Sequence, residues 1–533
     1  MLGPVEREVM AQLCASIAEE MGALLIRSAR SPNIRERRDC SAALFSAGGE
    51  LIAQAAHIPV HLGAMPDAVA AVRQKQARPG DVWMLNDPYT GGTHLPDITI
   101  IEAIAPTTIS PARLTRGGPA GLRPSVEEPL AYTVVRAHHA DVGGKRPGSM
   151  PPGARTLAEE GVVIPPTRIA TAGGLDEEAI ERIVKRMREP AVRRADLSAQ
   201  MAAASRGGER WREMIARYGR PALEDAVTDL LDYAERRTRV ALAALKAGTY
   251  QAEDRLEGDG ITASPLTLHV KATLAGGNLS LDFTGTSPAS EGNVNCPIAV
   301  TRSAALFVTR CLIPEDVPSN GGIARCVQVS APEGSLLNAR PPHAVAGGNV
   351  ETSQRVADVI LLALAGAGAP GIPAQGQGTM NNVVLGTAEW TYYETIGGGQ
   401  GGSRQGDGPS GVHVGMSNTM NTPVEMLELE LPIRVERYEM RRGSGGEGGE
   451  GGDGGDGGDG VVRELRVLES CSLSLITERR ERAPRGLAGG RDGACGRNLV
   501  NGKPVGSKVA VELQPGDVVT IETPGGGGYG MAR

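Results

Sequence analysis

Five of the chain's eight histidines fall between His57 and His139, among aspartates and turn-forming residues. The clusters read H-I-P-V-H (57–61), N-D-P-Y-T-G-G-T-H-L-P-D (86–97) and R-A-H-H-A-D-V-G-G (136–144). Imidazole and carboxylate are ligand types suited to Zn, Mn or Fe(II). Grouped in this way they point to one divalent metal ion. With a coordination position left open, such an ion lowers the pKa of a water and serves chemistry on a polar substrate.

Local geometry sorts the candidates. Pro96 disfavours a regular helix in T-H-L-P-D, so His94 and Asp97 are expected to share a tight turn. His138 and His139 end a strand-like run, Y-T-V-V-R-A. Neighbours on a strand point to opposite faces, so at most one of the pair should meet the ligands of that turn. Taken singly, each histidine reads as a hydrogen-bonded structural residue; only convergence makes a site. Asp39, in E-R-R-D-C-S, reads from its neighbours as a salt-bridged surface aspartate, and Cys40 as a small buried hydrophobe. Asp87, before Pro88, is a natural turn residue. His57 and His61 flank I-P-V and read as packing residues or as supports for a nearby ligand.

The elements that must position these groups can be sketched. Val5, Val9, Leu13, Ile17, Met21 and Leu24 recur at helical spacing and predict an amphipathic helix over 4–29, ended by Pro32. Residues 38–53 predict a β-hairpin with a Gly-Gly turn. Short strands and turns follow to 144, interrupted at 106–129 by a Pro-, Gly- and Arg-rich surface insertion. The Ala-, Arg- and Glu-rich segment 175–247 predicts about three helices, with Gly248 as their C-cap. Hairpins are expected over 249–290, helices near 299–311 and 351–367, and Gly-rich strands in the final third. Residues 443–460 form a Gly/Glu/Asp run. Glycine at that density pays a high ordering entropy, so a flexible loop is expected. The fold class is therefore α+β, a β-rich multi-layer architecture. Its expected divisions are a metal-site region (1–170), a helical region (171–248) and a β-rich region (249–533).

Composition excludes several functions. Net charge is −7, and aromatic residues are only 3%, which leaves little for stacking on bases and argues against a general nucleic-acid binder. The seven cysteines are scattered and form no C-x-x-C pair. An odd count in a long chain suits a reducing compartment. The acidic N-terminal stretch lacks the pattern of a signal peptide, and no apolar run reads as a membrane span, so a cytoplasmic location is expected. There is no Walker A loop. Gly397, Gly399 and Gly402 satisfy G-x-G-x-x-G, but the S-R-Q-G-D-G-P-S-G that follows cannot open a helix, so the dinucleotide reading fails. No G-x-S-x-G elbow occurs.

Long motifs throughout the chain resemble the hydantoinase B/oxoprolinase family. They include S-I-A-E-E-M-G-A (16–23), S-P-N-I-R-E-R-R-D (31–39), A-A-H-I-P-V-H-L-G-A-M-P (55–66), N-D-P-Y-x-G-G-T-H-L-P-D, R-A-H-H-A-D-V-G-G and G-S-M-P (148–151). Further along stand L-A-E-E-G-V-V-I-P-P (157–166), G-N-V-E-T-S-Q-R (348–355), Q-G-T-M-N-N (377–382), N-T-P-V-E (421–425), E-R-Y-E (436–439) and T-P-G-G-G-G-Y-G (523–530). The resemblance implies a metal site of Asp39, His94, Asp97 and His138, with His139 the fallback for the last. It promotes Asp39 from a surface charge to a ligand. It also implies a separate hydantoinase A-type subunit with an actin-like ATPase fold that uses ATP to phosphorylate the substrate. The acidic Gly run and the 106–129 insertion depart from the family pattern, and neither touches an expected ligand.

The reading that follows is an ATP-dependent cyclic-amide hydrolase of the hydantoinase or 5-oxoprolinase type. Metal-bound water would attack a hydantoin- or 5-oxoproline-like ring activated by the partner, with Asp141 or His139 orienting ligands or moving protons. The same site in an acetone- or acetophenone-type ketone carboxylase is the alternative; a non-catalytic scaffold is a third. Ligand type does not choose among Zn, Mn and Fe.

Overall fold

Seven strands build the sheet that carries the histidine clusters: β1 (Cys40–Ser46), β2 (Leu51–Ala56), β3 (Val82–Leu85), β4 (Asp97–Ala103), β5 (Ala131–His138), β6 (Thr167–Thr171) and β7 (Gly174–Leu175). The structure, a computed structural model, describes residues 2–56, 58–61, 63–106, 128–369, 371–449 and 453–531. The strand order is β2-β1-β5-β4-β3-β6-β7, and every neighbouring pair is antiparallel. Both faces are covered, so β4 and β5 are almost wholly buried. On one face Ala42, Leu44, Ile98, Ile100, Val135 and Ala137 pack under the helices Pro4–Ser28 and Pro190–Tyr218. On the other, Ala43, Phe45, Ile101, Ala103, Tyr132 and Val134 pack against the helix Met65–Gln74. The period of two in these lists is the strand alternation that places the site.

The N-terminal helix forms as expected but buries a rotated face. Met10, Cys14, Ile17, Met21 and Leu25 enter the core, whereas Val5 is 76% exposed and Val9 51%. The small residues Ala18 and Gly22 lie on the buried side, which lets the helix approach its neighbours closely. By length and mean hydropathy alone this helix could cross a membrane. Its apolar stripe is instead committed to the core of the first sheet.

Segment 175–247 supplies the helices Glu177–Val184, Pro190–Tyr218 and Arg220–Ala243. Gly248 does not cap the last of them; it opens strand β8 (Gly248–Leu256). β8 pairs with β9 (Leu266–Ala275) and β9 with β10 (Asn278–Asp282), both antiparallel, as the hairpin reading expects; β11 (Val327–Ser330) adds in parallel. The helices Ile298–Leu312 and Ser353–Ala365 share a core with this sheet. A third core forms between two further sheets. One contains β12 (Asn382–Gly386), β13 (Thr391–Glu394), β16 (Cys471–Ile476) and β19 (Lys508–Leu513). The other contains β14 (Ile433–Arg441), β15 (Gly460–Val467), β17 (Arg497–Val500), β18 (Lys503–Pro504) and β20 (Val518–Glu522). Helices and mostly antiparallel sheets together make the α+β class.

The Gly/Glu/Asp run is the clearest departure from expectation. Its described residues, 443–449 and 453–460, are not a free loop. Gly446 donates to the Gly526 carbonyl, Gly457 to Gly446 and Gly458 to Gln400, each at 2.8 Å. A Cβ on Gly457 would collide with the Gly526 carbonyl oxygen, and one on Gly445 with that of Gly457. Glycine is there because other backbones occupy the side-chain space, and inter-segment hydrogen bonds offset the ordering entropy. His57 and residues 107–127 of the expected insertion lie outside the described residues.

Candidate metal centre

Strand parity brings the candidate ligands together. Asp97 opens β4 and is the cross-strand partner of His138, which ends β5. Asp39 immediately precedes β1, on the other side of β5, and its carbonyl accepts from the His138 amide at 3.0 Å. Asp97 and His138 share parity with Ile101 and Val134, so both face the side of the helix Met65–Gln74. His139 has the opposite parity. Its Nε2 meets Gln200 Oε1 at 2.9 Å on the helix Pro190–Tyr218, and burial lowers its pKa to about 4.

The T-H-L-P-D turn is held from three directions. Asn86 donates to the Leu95 and Val162 carbonyls and accepts from the Ile164 amide. Arg136 donates to the Gly91 carbonyl at 2.9 Å and to Thr99 at 2.8 Å. Gly91 has φ +106° and lies so close to Ala68 that a Cβ would sit 2.6 Å from its Cα. The glycines of N-D-P-Y-x-G-G thus press the turn onto the neighbouring helix, and the turn delivers His94 to Asp97.

The donor atoms converge tightly. His94 Nε2 lies 2.9 Å from Asp97 Oδ1, and His138 Nδ1 lies 3.2 Å from both. Asp39 Oδ2 stands 4.0 Å from His138 Nδ1. Ligands about 2.1 Å from one ion are separated by about 3.0–3.4 Å in octahedral or tetrahedral arrangement, so the spacing fits a single divalent ion. The protonation states also fit. Burial lowers the pKa of His94, against the pull of Asp97. Burial would raise Asp97, but the imidazoles of His94 and His61 and hydrogen bonds from His138 and His61 hold it well below the usual carboxylate range. A neutral imidazole and an ionised carboxylate are the forms a metal binds. His94 Nδ1 and His138 Nε2 have no hydrogen-bond partner among the described residues.

Behind Asp97 the contacts continue. Its Oδ2 accepts from Thr93 Oγ1 at 2.6 Å and lies 3.4 Å from His61 Nε2, while His61 Nδ1 meets Ser41 Oγ at 2.9 Å. His61 is therefore a neighbour of the cluster through Asp97. Asp141 is not. It is fully buried and accepts from the amides of Gly143 and Gly148 and from Arg188 at 3.0 Å, closing the D-V-G-G-K-R-P-G loop. The structure brings neither His139 nor Asp141 to the donor cluster.

The remaining walls come from distant sequence. Asn349, Val350, Met380, Tyr393, Thr395, Ser417 and Thr419 close a cavity of ≈20 Å³ over the cluster. That is room for about one water. Tyr393 stacks on His138 with ring centroids 4.7 Å apart. Its hydroxyl donates to Asn382, which in turn donates to Glu351 at 2.7 Å. Only the motifs at 348–355 and 377–382 signalled any of these walls. Tyr393, Thr395, Ser417 and Thr419 carried no pattern of their own.

The chain matches the Hydantoinase B/oxoprolinase family over residues 3–532 and belongs to it. Among its relatives, 5-oxoprolinase 1 of Arabidopsis thaliana is 37% identical over 96% of this chain and 41% of its own length. The chain thus spans about two-fifths of that enzyme. The crystal structure of the ATP-dependent caprolactamase of Pseudomonas jessenii superposes with a TM-score of 0.86 at 25% identity, covering 100% of this chain and 91% of that one. Acetone carboxylase in its nucleotide-free structure gives a TM-score of 0.85 at 15% identity, covering 99% of this chain and 76% of that one, a likeness of fold alone.

Proposed function

We propose that this chain is the metal-dependent catalytic subunit of an ATP-dependent cyclic-amide hydrolase, acting on a hydantoin- or 5-oxoproline-like ring. The ATP is used by a hydantoinase A-type partner of actin-like fold, which phosphorylates the lactam or imide oxygen borne by the ring, and the two chains form a hetero-oligomer. One observation carries the reading: His94, Asp97 and His138 place three ligand atoms within 4.8 Å of one another, all buried. Asp39 completes the proposed set. The names of two relatives, a 5-oxoprolinase and a caprolactamase, are those of enzymes acting on lactams. A bound Zn, Mn or Fe ion would supply Lewis-acid polarisation and, by lowering the pKa of a water, a nucleophile for the activated ring carbon.

The chain's own part is orientation. Thr93 and His61 fix Asp97 through its Oδ2, which leaves Oδ1 beside the two imidazole nitrogens that would hold the ion with it. Tyr393 sets the plane of His138, and Ile58, Val60, Val350 and Met380 form the apolar part of the cavity wall. His139 and Asp141 enter as positioning residues, one pinning β5 through Gln200, the other closing its following loop. The test is ring opening by the chain reconstituted with its A-type partner, ATP and a lactam panel. Chelation and His94→Ala are each expected to abolish it; ring opening that survives both removes the reading.

A further inference from the structure

Arg37 belongs to the S-P-N-I-R-E-R-R-D motif and has no place in the chemistry above. Its side chain is completely buried, and its Nε and Nη1 have no hydrogen-bond partner among the described residues. Its Nη2 donates only to hydroxyls, Thr395 Oγ1 at 2.7 Å and Thr419 Oγ1 at 3.0 Å. Equally buried Arg355 and Arg479 each face Asp254, at 3.1 and 3.2 Å. Arg37 has no such counterpart among the described residues. Glu394, next to Thr395, is taken by Arg463 at 3.0 Å, and Asp39 faces His138. A buried guanidinium without a carboxylate is costly, and the cost falls when an anion arrives.

Both threonines that Arg37 touches line the cavity over the metal ligands, as does Ser417. Thr395 and Thr419 lie 2.6 Å apart, and His413 reaches Ser417 at 2.7 Å and Thr419 at 3.4 Å. A hydroxyl that already accepts from a guanidinium is a stronger donor of its own proton. Arg37 also lies 5.6 Å from the centroid of the Tyr393 ring, whose stacking partner is His138. The cavity thus has metal ligands on one side and a cation relayed through hydroxyls on the other.

We propose that Arg37, acting with Thr395, Ser417 and Thr419, forms an anion subsite for the anionic oxygen that the activated substrate carries. The inference rests on the cyclic-amide reading and specifies its substrate class: a ring bearing a phosphoryl or carboxylate group.

The experiment uses the full chain without partner, ATP or lactam, treated with chelator so that no metal can take the anion. Thermal shift and calorimetry are run with inorganic phosphate and with acetate, against chloride at equal ionic strength. The wild type is expected to be stabilised by one of the two anions, phosphate identifying a phosphoryl substituent and acetate a carboxylate. Arg37→Met is expected to weaken that binding about tenfold or more, in line with the loss of charge-assisted hydrogen bonds. Thr419→Val, which keeps the arginine, is expected to weaken it less and serves if Arg37→Met does not fold. A wild type stabilised by neither anion, or binding unchanged in both variants, overturns the subsite. Either result leaves the hydrolase reading standing, because ring opening is not the readout.

Discussion

Replacing Asp97 with asparagine changes one atom and should disable the centre. Asp97 Oδ1 serves His94 at 2.9 Å and His138 at 3.2 Å; Oδ2 serves Thr93 at 2.6 Å and His61 at 3.4 Å. Asparagine offers one acceptor oxygen and an NH2 group. With the NH2 at Oδ1 both imidazoles face it donor to donor unless they change tautomer; with the NH2 at Oδ2 the Thr93 hydroxyl can turn to accept, but His61 must change tautomer. Hydrogen bonds to charged groups contribute about 1.5–3 kcal/mol each, so the metal-free Asp97→Asn chain should lose about 2–4 kcal/mol in urea unfolding. The folded pKa of Asp97 lies below its unfolded value of about 4, so its contribution exists above that pH and is lost as pH falls through the folded value. The variant should therefore lose the wild type's extra destabilisation at acid pH. Metal affinity, read by chelator competition, should drop more than about 100-fold, beyond what loss of a supporting contact costs. An Asp97→Asn chain that binds metal within about tenfold of wild type would refute the ligand assignment.

Three further outcomes are expected. Burial raises the Glu160 carboxyl to about 8, although the Val345 and Ala346 amides donate to it. Its neutral form favours the fold, so that contribution is fully present below about pH 4.5 and is gone once pH has risen through about 8; urea unfolding should show the wild type weakening relative to Glu160→Gln between about pH 4.5 and 8, and parallel profiles would contradict this. Arg355→Met removes the guanidinium that joins Asp254 to Glu478, but Arg479 and Lys508 still face those carboxylates, so chemical denaturation should show a loss of about 1.5–3 kcal/mol. Gly457→Ala should cost about 1–3 kcal/mol or more and open 443–460 to limited proteolysis, whereas a tolerated alanine would restore the loop reading.

Much of the donor cluster was legible because local rules govern it. Pro96 and the Gly-Gly pair mark the turn that joins His94 to Asp97. Strand alternation lets only one of His138 and His139 meet that turn, and the family resemblance, not spacing, favours His138. Asp39 was not legible from spacing, since its approach depends on β1 lying beside β5 rather than beside β4. Arg37, Tyr393, Thr395, Ser417 and Thr419 were hidden for the same reason: they meet the cluster only through packing of the C-terminal sheets. The helix at 4–28 was legible but its buried face was not, because Ala18 and Gly22 admit close packing that a count of large apolar residues overlooks. The acidic Gly run misled because composition predicts the cost of ordering it and not the backbones that hydrogen-bond to it.

The most direct measurement of the central claim is the metal content of the purified chain, wild type beside His94→Ala, by elemental analysis after gel filtration. The account predicts about one Zn, Mn or Fe per wild-type chain and a large loss in the variant. A wild-type chain that carries no divalent ion, and takes up none when offered all three, would contradict it.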